Sequence, residues 1–306
     1  MIEEASAHHW FRELCTGGVD LAYLCRSIIF SGRTRFQRVD IVDSPLHGKV
    51  LFLDKVLQSA ERDEFIYHET LVHPALFSVD RPTSVLIVGG GEGATLREVL
   101  RHPSVERVLM VEVDGQLVDI ARHFLPEWHQ GAFDDPRVEL VVGDGRAYLE
   151  ATNERFHVIL LDLSDPVDDS PAVLLYTSEF FQIVRRRLQP GGACAVQAES
   201  ISPQQCTVHA RIYNTLAASF PVARTCPYML HSFHRPDAHL LGSLDPQWSP
   251  EQVARRAEAA SLPLRYLSPS MFLGLFILPP YLEQAYGTHQ RPLTDTDHQI
   301  HIDEIL

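Results

Sequence analysis

Ser84-Val85-Leu86-Ile87-Val88-Gly89-Gly90-Gly91-Glu92-Gly93-Ala94 is the stretch that decides the fold of this chain. Ser84 to Val88 reads as an apolar strand, a glycine turn follows, and Ala94 to Arg101 reads as a helix. A strand without polar alternation is buried on both faces, as parallel strands covered by helices are. The pattern repeats downstream. Arg107 to Val113, Val138 to Val142, His157 to Leu161 and Ala193 to Gln197 read as strands, and Gln116 to Phe124, Arg146 to Glu150 and Thr177 to Leu188 read as helices between them. This alternation predicts an α/β, Rossmann-like, doubly wound and mostly parallel sheet. Upstream the period changes. Thr34 to Glu61 alternates apolar and polar residues, with turn signals at Pro45 to Gly48 and at Asp54-Lys55, so short antiparallel strands are expected. Glu64 to Phe77 then reads as a helix. The expected division is an N-terminal β-strand domain over residues 1–61 and a Rossmann-like domain over 62–306.

In such a sheet the ligand crevice lies at the carboxyl ends of the strands, where glycines let a backbone turn sharply beside a ligand. Gly89, Gly91 and Gly93 supply that turn. Glu112 ends the next strand, about 20 residues on, where a carboxylate accepts hydrogen bonds from a ribose diol. Asp144, followed by Gly145, ends the third strand and is placed to accept from an adenine amino group. The set points to an adenosine ligand of the S-adenosylmethionine type. Glu92, inside the turn, suits an ammonium tail; a free carboxylate tail needs a separate cationic partner.

The fourth strand runs into Asp162-Leu163-Ser164-Asp165-Pro166, and Asp168 and Asp169 follow. A free alkylamine has a pKa near ~10, as lysine has, and must lose a proton before it attacks an electrophile. One of two neighbouring carboxylates takes that proton and the other holds a distant ammonium; their proximity raises one pKa. On the preceding helix, Tyr67 lies four residues from Asp63 and shares its face.

Charge and composition fit this chemistry. With 26 basic and 40 acidic residues in 306, the net charge is −14. An acidic surface repels nucleic acid and anionic membrane. Five cysteines with no zinc spacing suggest reduced thiols in a cytoplasm. Met1 to Trp10 does not read as a secretion signal, and no apolar run reaches the ~20 residues of a membrane helix.

Several separated blocks resemble the polyamine aminopropyltransferase, or spermidine synthase, family. They are Thr34-Arg35-Phe36-Gln37, Leu53-Asp54-Lys55 with Gln58, Glu61-Arg62-Asp63-Glu64 with Tyr67-His68-Glu69, the glycine turn with Leu96 to Leu100, Val111 to Asp114, the Asp162 to Pro166 segment, and Gln197-Ala198-Glu199-Ser200. The resemblance is dense over residues 34–200. It implies transfer of the aminopropyl group of decarboxylated S-adenosylmethionine, a co-substrate, to an amine. No prosthetic group or metal is expected, because the sulfonium is already a good leaving group.

By the same resemblance Asp162 is the general base with Tyr67 assisting, and Asp165 binds the amine. Gln37, Gln58, His68, Glu92, Glu112, Asp144 and Gly145 contact the donor or its product, methylthioadenosine. Gln197 and Trp10 line the amine channel, and Leu163 to Leu175 form a lid. Phe233, counted with the amine-binding residues, stands where the family commonly has a tyrosine, and His239 where an aromatic often sits. The run Pro126 to Phe133 resembles the branch that uses agmatine or makes thermospermine, while Glu199 resembles the spermidine synthases. The acceptor is thus putrescine, agmatine or spermidine at this stage, and a homodimer or homotetramer is expected. An S-adenosylmethionine methyltransferase of class I shares the glycine turn, Glu112 and Asp144. It does not account for Gln37, Gln58, Tyr67 and the Asp162/Asp165 pair, and neither does a non-catalytic binder.

Overall fold

A computed structural model of the chain describes residues 9–14, 20–166 and 171–298. Asp168 and Asp169, and with them the middle of the expected lid, lie outside the described residues. The chain opens with β1 (His9–Leu14) and β2 (Asp20–Cys25), an antiparallel pair. A four-stranded antiparallel sheet follows: β3 (Ser27–Arg33), β4 (Arg38–Ser44), β5 (Gly48–Leu53) and β6 (Val56–Ala60). The turns fall where the sequence placed them. Asp54 and Lys55 both have positive φ, the conformation a two-residue hairpin requires.

The rest of the chain is built as α1 (Glu64–Ser78), β7 (Ser84–Gly89), α2 (Ala94–Leu100), β8 (Arg107–Glu112), α3 (Gly115–Phe124), α4 (Pro126–His129), β9 (Val138–Val142), α5 (Gly145–Ala151), β10 (Phe156–Asp162), α6 (Ser178–Arg186), β11 (Leu188–Ser200), α7 (Thr207–Ala217), β12 (Val222–Met229), β13 (Pro236–Ser243), α8 (Pro250–Ala260) and α9 (Pro280–Thr288). One sheet contains seven strands in the order β12-β13-β11-β10-β7-β8-β9. The five from β11 to β9 are parallel, and β12 and β13 extend the β11 edge antiparallel. The expected doubly wound sheet is therefore present. The chain crosses to opposite sides of β7 to form β8 and β10, so the switch point lies at the carboxyl ends of β7 and β10.

Helices cover both faces. Apolar residues from β7, β8 and β10 join one core with α1 and α2, and the alternate residues of the same strands join a second core with α6 and α7. α1 is not amphipathic: twelve of its fifteen residues are buried, because it packs against α2, α8 and strands β10 to β13. That enclosure places polar residues such as His68, Glu64 and His73 inside the protein, where each needs a partner. The segment Pro126 to Phe133 works as a bridge between the two sheets. Trp128 is fully buried and its Nε1 donates to Ser59 Oγ of β6 at 2.7 Å, while Phe133 lies against Gly93.

Two glycines show why the crevice cannot be built with other residues. Gly89 has φ +83, and a Cβ there would collide with the carbonyl oxygen of Asp162. Gly145 has little room beside Val88, whose Cγ1 a Cβ would strike. Both positions set how closely the ends of β7, β9 and β10 approach one another.

Candidate active site

Asp162, the last residue of β10, pairs with Gly89, the last residue of β7. Its carboxylate is held from two sides. Tyr67 OH donates to Oδ1 at 2.8 Å, and Thr95 Oγ1, in the first turn of α2, donates to Oδ2 at 2.5 Å. Burial raises the Asp162 pKa, and the charge of Glu92 raises it further, while His68, Thr95 and Tyr67 pull it back, leaving it at about 6. Tyr67 stays protonated far above its usual range, through burial and the neighbouring Asp162 charge. Its ring stands edge-on to His239 and Tyr228, with centroids 4.5 and 5.7 Å away. His239, fully buried, packs as a ring against Tyr67 and Tyr228.

A charged relay holds Glu92 beside Asp162. The guanidinium of Arg97 grips Glu64 with two bonds of 3.0 and 3.1 Å. Glu64 Oε2 accepts from His68 Nδ1 at 2.6 Å, and Glu92 Oε1 accepts from His68 Nε2 at 3.0 Å. Burial alone would lower the His68 pKa, but the hydrogen bonds and charges of Glu64 and Glu92 raise it to about 10. His68 is therefore an imidazolium at neutral pH, hydrogen-bonded to both carboxylates. The resemblance implies that His68 contacts the donor; in the structure both its ring nitrogens are occupied, by Glu64 and Glu92. Donor atoms of His68, Glu92 and Asp162 lie within 4.8 Å of one another, a spacing a metal could bridge. An imidazolium, however, has no lone pair to offer a metal. Glu92 and Asp162 are better matched to an organic cation.

The far side of the crevice is formed by the glycine turn and the neighbouring strand ends. Glu112, buried at the end of β8, accepts the Asp114 amide at 2.8 Å through Oε1, and its Oε2 faces Gly91. Burial raises its pKa, and the charges of Asp114, Glu92 and Asp162 add to this, bringing it to about 7 despite the amide bond. Gly93 backs onto Phe133 and His129. Asp144 is exposed and caps α5, its Oδ1 accepting the Ala147 amide at 2.9 Å; Gly145 follows it, buried. Gln37 is turned towards the start of α3, its Nε2 donating to Asp114 Oδ2 at 3.0 Å, and Gln58 donates to Val56 O at 3.4 Å. Glu112→Ala is expected to weaken methylthioadenosine binding about 10–100-fold, the loss of hydrogen bonds to a charged acceptor. Calorimetric titration checks this; unchanged affinity removes Glu112 from the site.

A second acidic group shares the surroundings of Tyr176 with Asp162. Asp165 Oδ1 accepts from Gln197 Nε2 at 2.8 Å, and Gln197 Oε1 accepts from Tyr176 OH at 2.9 Å. Glu199 hydrogen-bonds Asp165, and burial followed by the Asp165 charge lifts its pKa well above the carboxylate range. Asp237 and Arg235 complete the group, with Tyr228 beside them. Tyr228, Tyr176, Thr95, Arg235 and Asp237 were not singled out from sequence. Tyr176 lies just past the acidic loop and Thr95 follows the glycine turn at the start of a helix, local signals by which they could have been found. Tyr228, Arg235 and Asp237 carry none.

Phe233 and Trp10 are not brought to this group. Phe233 packs with Phe11 and Leu21 on the cluster of Tyr23, Val42, Val50 and Phe52. The turn that carries it is pinned there: Asp63 accepts from the Ser232 amide and hydroxyl at 2.8 and 3.0 Å, and Ser232 O accepts from Tyr23 OH at 2.8 Å. Tyr228 takes the aromatic place beside Tyr67. On β1, Phe11 faces inward, so Trp10 faces away and is 63% exposed.

The geometry has counterparts in known proteins. The profile of the spermine/spermidine synthase domain matches residues 64–234, and that of the spermidine synthase tetramerisation domain matches residues 9–61. A polyamine aminopropyltransferase 2 of Pseudomonas aeruginosa is 46% identical over 245 residues, covering 79% of this chain and 70% of that protein. A polyamine aminopropyltransferase of a Synechococcus species is 42% identical over 289 residues, covering 90% and 92%. Among solved structures, a spermidine synthase in complex with the transition-state analogue AdoDATO superposes with a TM-score of 0.85 at 32% identity, covering 92% of this chain and 96% of that one. The spermidine synthase of Thermotoga maritima gives 0.82 at 32% identity, covering 92% and 95%.

Proposed function

Because this chain belongs to the spermine/spermidine synthase family, we propose that it is an aminopropyltransferase whose catalytic groups are Asp162 and Tyr67. It uses decarboxylated S-adenosylmethionine as co-substrate. The observation that carries the reading is Asp162 itself, set between Glu92 on the donor side and Asp165 on the amine side, with a pKa of about 6. The acceptor nitrogen attacks the methylene next to the sulfonium. A carbon–nitrogen bond forms, the carbon–sulfur bond breaks, and its electron pair stays on sulfur to give methylthioadenosine. The proton leaving the nitrogen goes to Asp162, oriented by Tyr67 and Thr95. Glu92, held by His68, takes the ammonium tail of the donor, and Glu112 takes the ribose. Gly89, Gly91, Gly93 and Gly145 shape the donor crevice, with Asp144 at the adenine end.

Asp165, with Gln197 and Glu199 behind it, binds the distal ammonium of the amine. Putrescine is the acceptor in this reading, since one such subsite suits one distal charge. The chain divides at residues 61 and 62. The N-terminal part assembles a homo-oligomer, as its match to a tetramerisation domain supports. No helix among the described residues is long and apolar enough to cross a membrane, in keeping with a cytoplasmic enzyme.

The test offers the protein either decarboxylated or intact S-adenosylmethionine with putrescine, agmatine and spermidine, and identifies products by mass spectrometry. Aminopropyl adducts from the decarboxylated donor alone are expected, with putrescine used best. Methylated amines from the intact donor would overturn the assignment in favour of a methyltransferase.

A further inference from the structure

The acidic group beside Asp162 holds a cation that belongs to the chain itself. Arg235 sits in the turn between β12 and β13, and its Nε donates to Asp237 Oδ1 at 3.0 Å. Its NH2 lies 3.9 Å from Glu199 Oε2. Glu199 is brought there by its backbone. It occupies a bulge of β11 with φ +67, a conformation non-glycine residues adopt at a cost. The side chains of Asp237 and Glu199 are 4% and 14% exposed, whereas that of Arg235 is 34% exposed and so the most open to solvent of the three.

The contacts thus run from Asp165 to Glu199, from Glu199 to Arg235 and from Arg235 to Asp237. For a diamine this is sufficient: Asp162 meets the reacting nitrogen, and Asp165 with Glu199 meets the distal ammonium. A triamine brings one more positive charge, and the remaining carboxylate, Asp237, is already engaged by a guanidinium. Two cations in a partly buried pocket repel strongly, and displacing Arg235 leaves its own charge unpaired.

We infer that Arg235 determines acceptor specificity: it is a built-in cation that fills the place of a third ammonium and restricts the enzyme to amines with two charged nitrogens. This rests on the aminopropyl-transfer reading for its site but is tested by binding as well as by turnover. Calorimetry on protein saturated with the neutral thioether analogue of the decarboxylated donor, which keeps the ammonium tail on Glu92 and cannot react, compares putrescine with spermidine. The wild-type protein is expected to favour putrescine by about tenfold or more. Arg235→Gln should shrink that ratio about tenfold by tightening spermidine, and Arg235→Lys should keep it.

Equal affinity of the wild-type protein for both amines overturns the inference. So does an unchanged ratio in Arg235→Gln. Should that variant not fold, the wild-type protein still decides: with the decarboxylated donor saturating, so that the Glu92 subsite is filled, spermidine inhibiting putrescine turnover at concentrations as low as the putrescine KM overturns the inference, and inhibition about tenfold weaker supports it. If the wild-type protein transfers no aminopropyl group to either amine yet keeps the binding preference, the activity reading fails and the role of Arg235 stands.

Discussion

Asp162→Asn is expected to lower turnover about 10²–10⁴-fold while leaving donor binding intact, the usual cost of removing a general base. The asparagine amide has the shape of the carboxylate. Its oxygen still accepts from Tyr67 OH, and its NH₂ can donate to Thr95 Oγ1, which now acts as acceptor. What disappears is the ability to take a proton. The pH profile separates this from a packing defect. With Asp162 at about 6, the wild-type rate on free amine falls about tenfold per unit as pH drops below that value, because the protonated acid accepts nothing. Above it the base is ionised and this limb is flat. In Asp162→Asn the limb should vanish. Near-normal turnover at neutral pH would exclude Asp162 as the base.

Glu92→Gln should have the second large effect, on the donor. One oxygen of Glu92 accepts from His68 and the other is left for the ammonium tail. The amide keeps the shape and removes the charge, so both the tail and the His68 imidazolium lose a counter-ion. Truncating one partner of a buried charge pair costs about 2–5 kcal/mol, of which about 3–4 corresponds to a 10²–10³-fold weaker binding of the decarboxylated donor. Methylthioadenosine has no ammonium tail and should bind within about threefold of wild type. Calorimetry with the two ligands tells the roles apart. An equal loss for both ligands would mean that Glu92 only supports the glycine turn, and no loss for either would remove it from the site.

The relay behind Glu92 explains why the site tolerates so many acids. Glu92, Glu112, Asp162, Asp165, Glu199 and Asp237 share a small region, and burial pushes several of them towards neutrality. His68, Arg97 and Arg235 answer this with fixed positive charge. The result is a pocket that is acidic without being repulsive. The donor brings a sulfonium and an ammonium and the acceptor brings a further ammonium, so bound cations complete the balance.

The sequence alone determined the parallel sheet, the glycine turn and the carboxylates at its strand ends. These are local facts. A strand buried on both faces must be apolar throughout, and the residue that ends it must face the crevice, so Glu112 and Asp162 could be read from position along the chain. The hairpin turns at residues 45–48 and 54–55 were legible for the same reason, since turn geometry selects its residues. The tertiary structure decided the rest. Tyr228, Arg235 and Asp237 reach the site because β12 and β13 pair antiparallel onto β11, and Tyr228 and Tyr67 are 161 positions apart. No local spacing encodes that pairing. Phe233 turned to the N-terminal cluster because Asp63 and Tyr23 pin the neighbouring Ser232. His68 became a holder of Glu92 because α1 is enclosed on nearly every side, which places the imidazole between the carboxylates of Glu64 and Glu92.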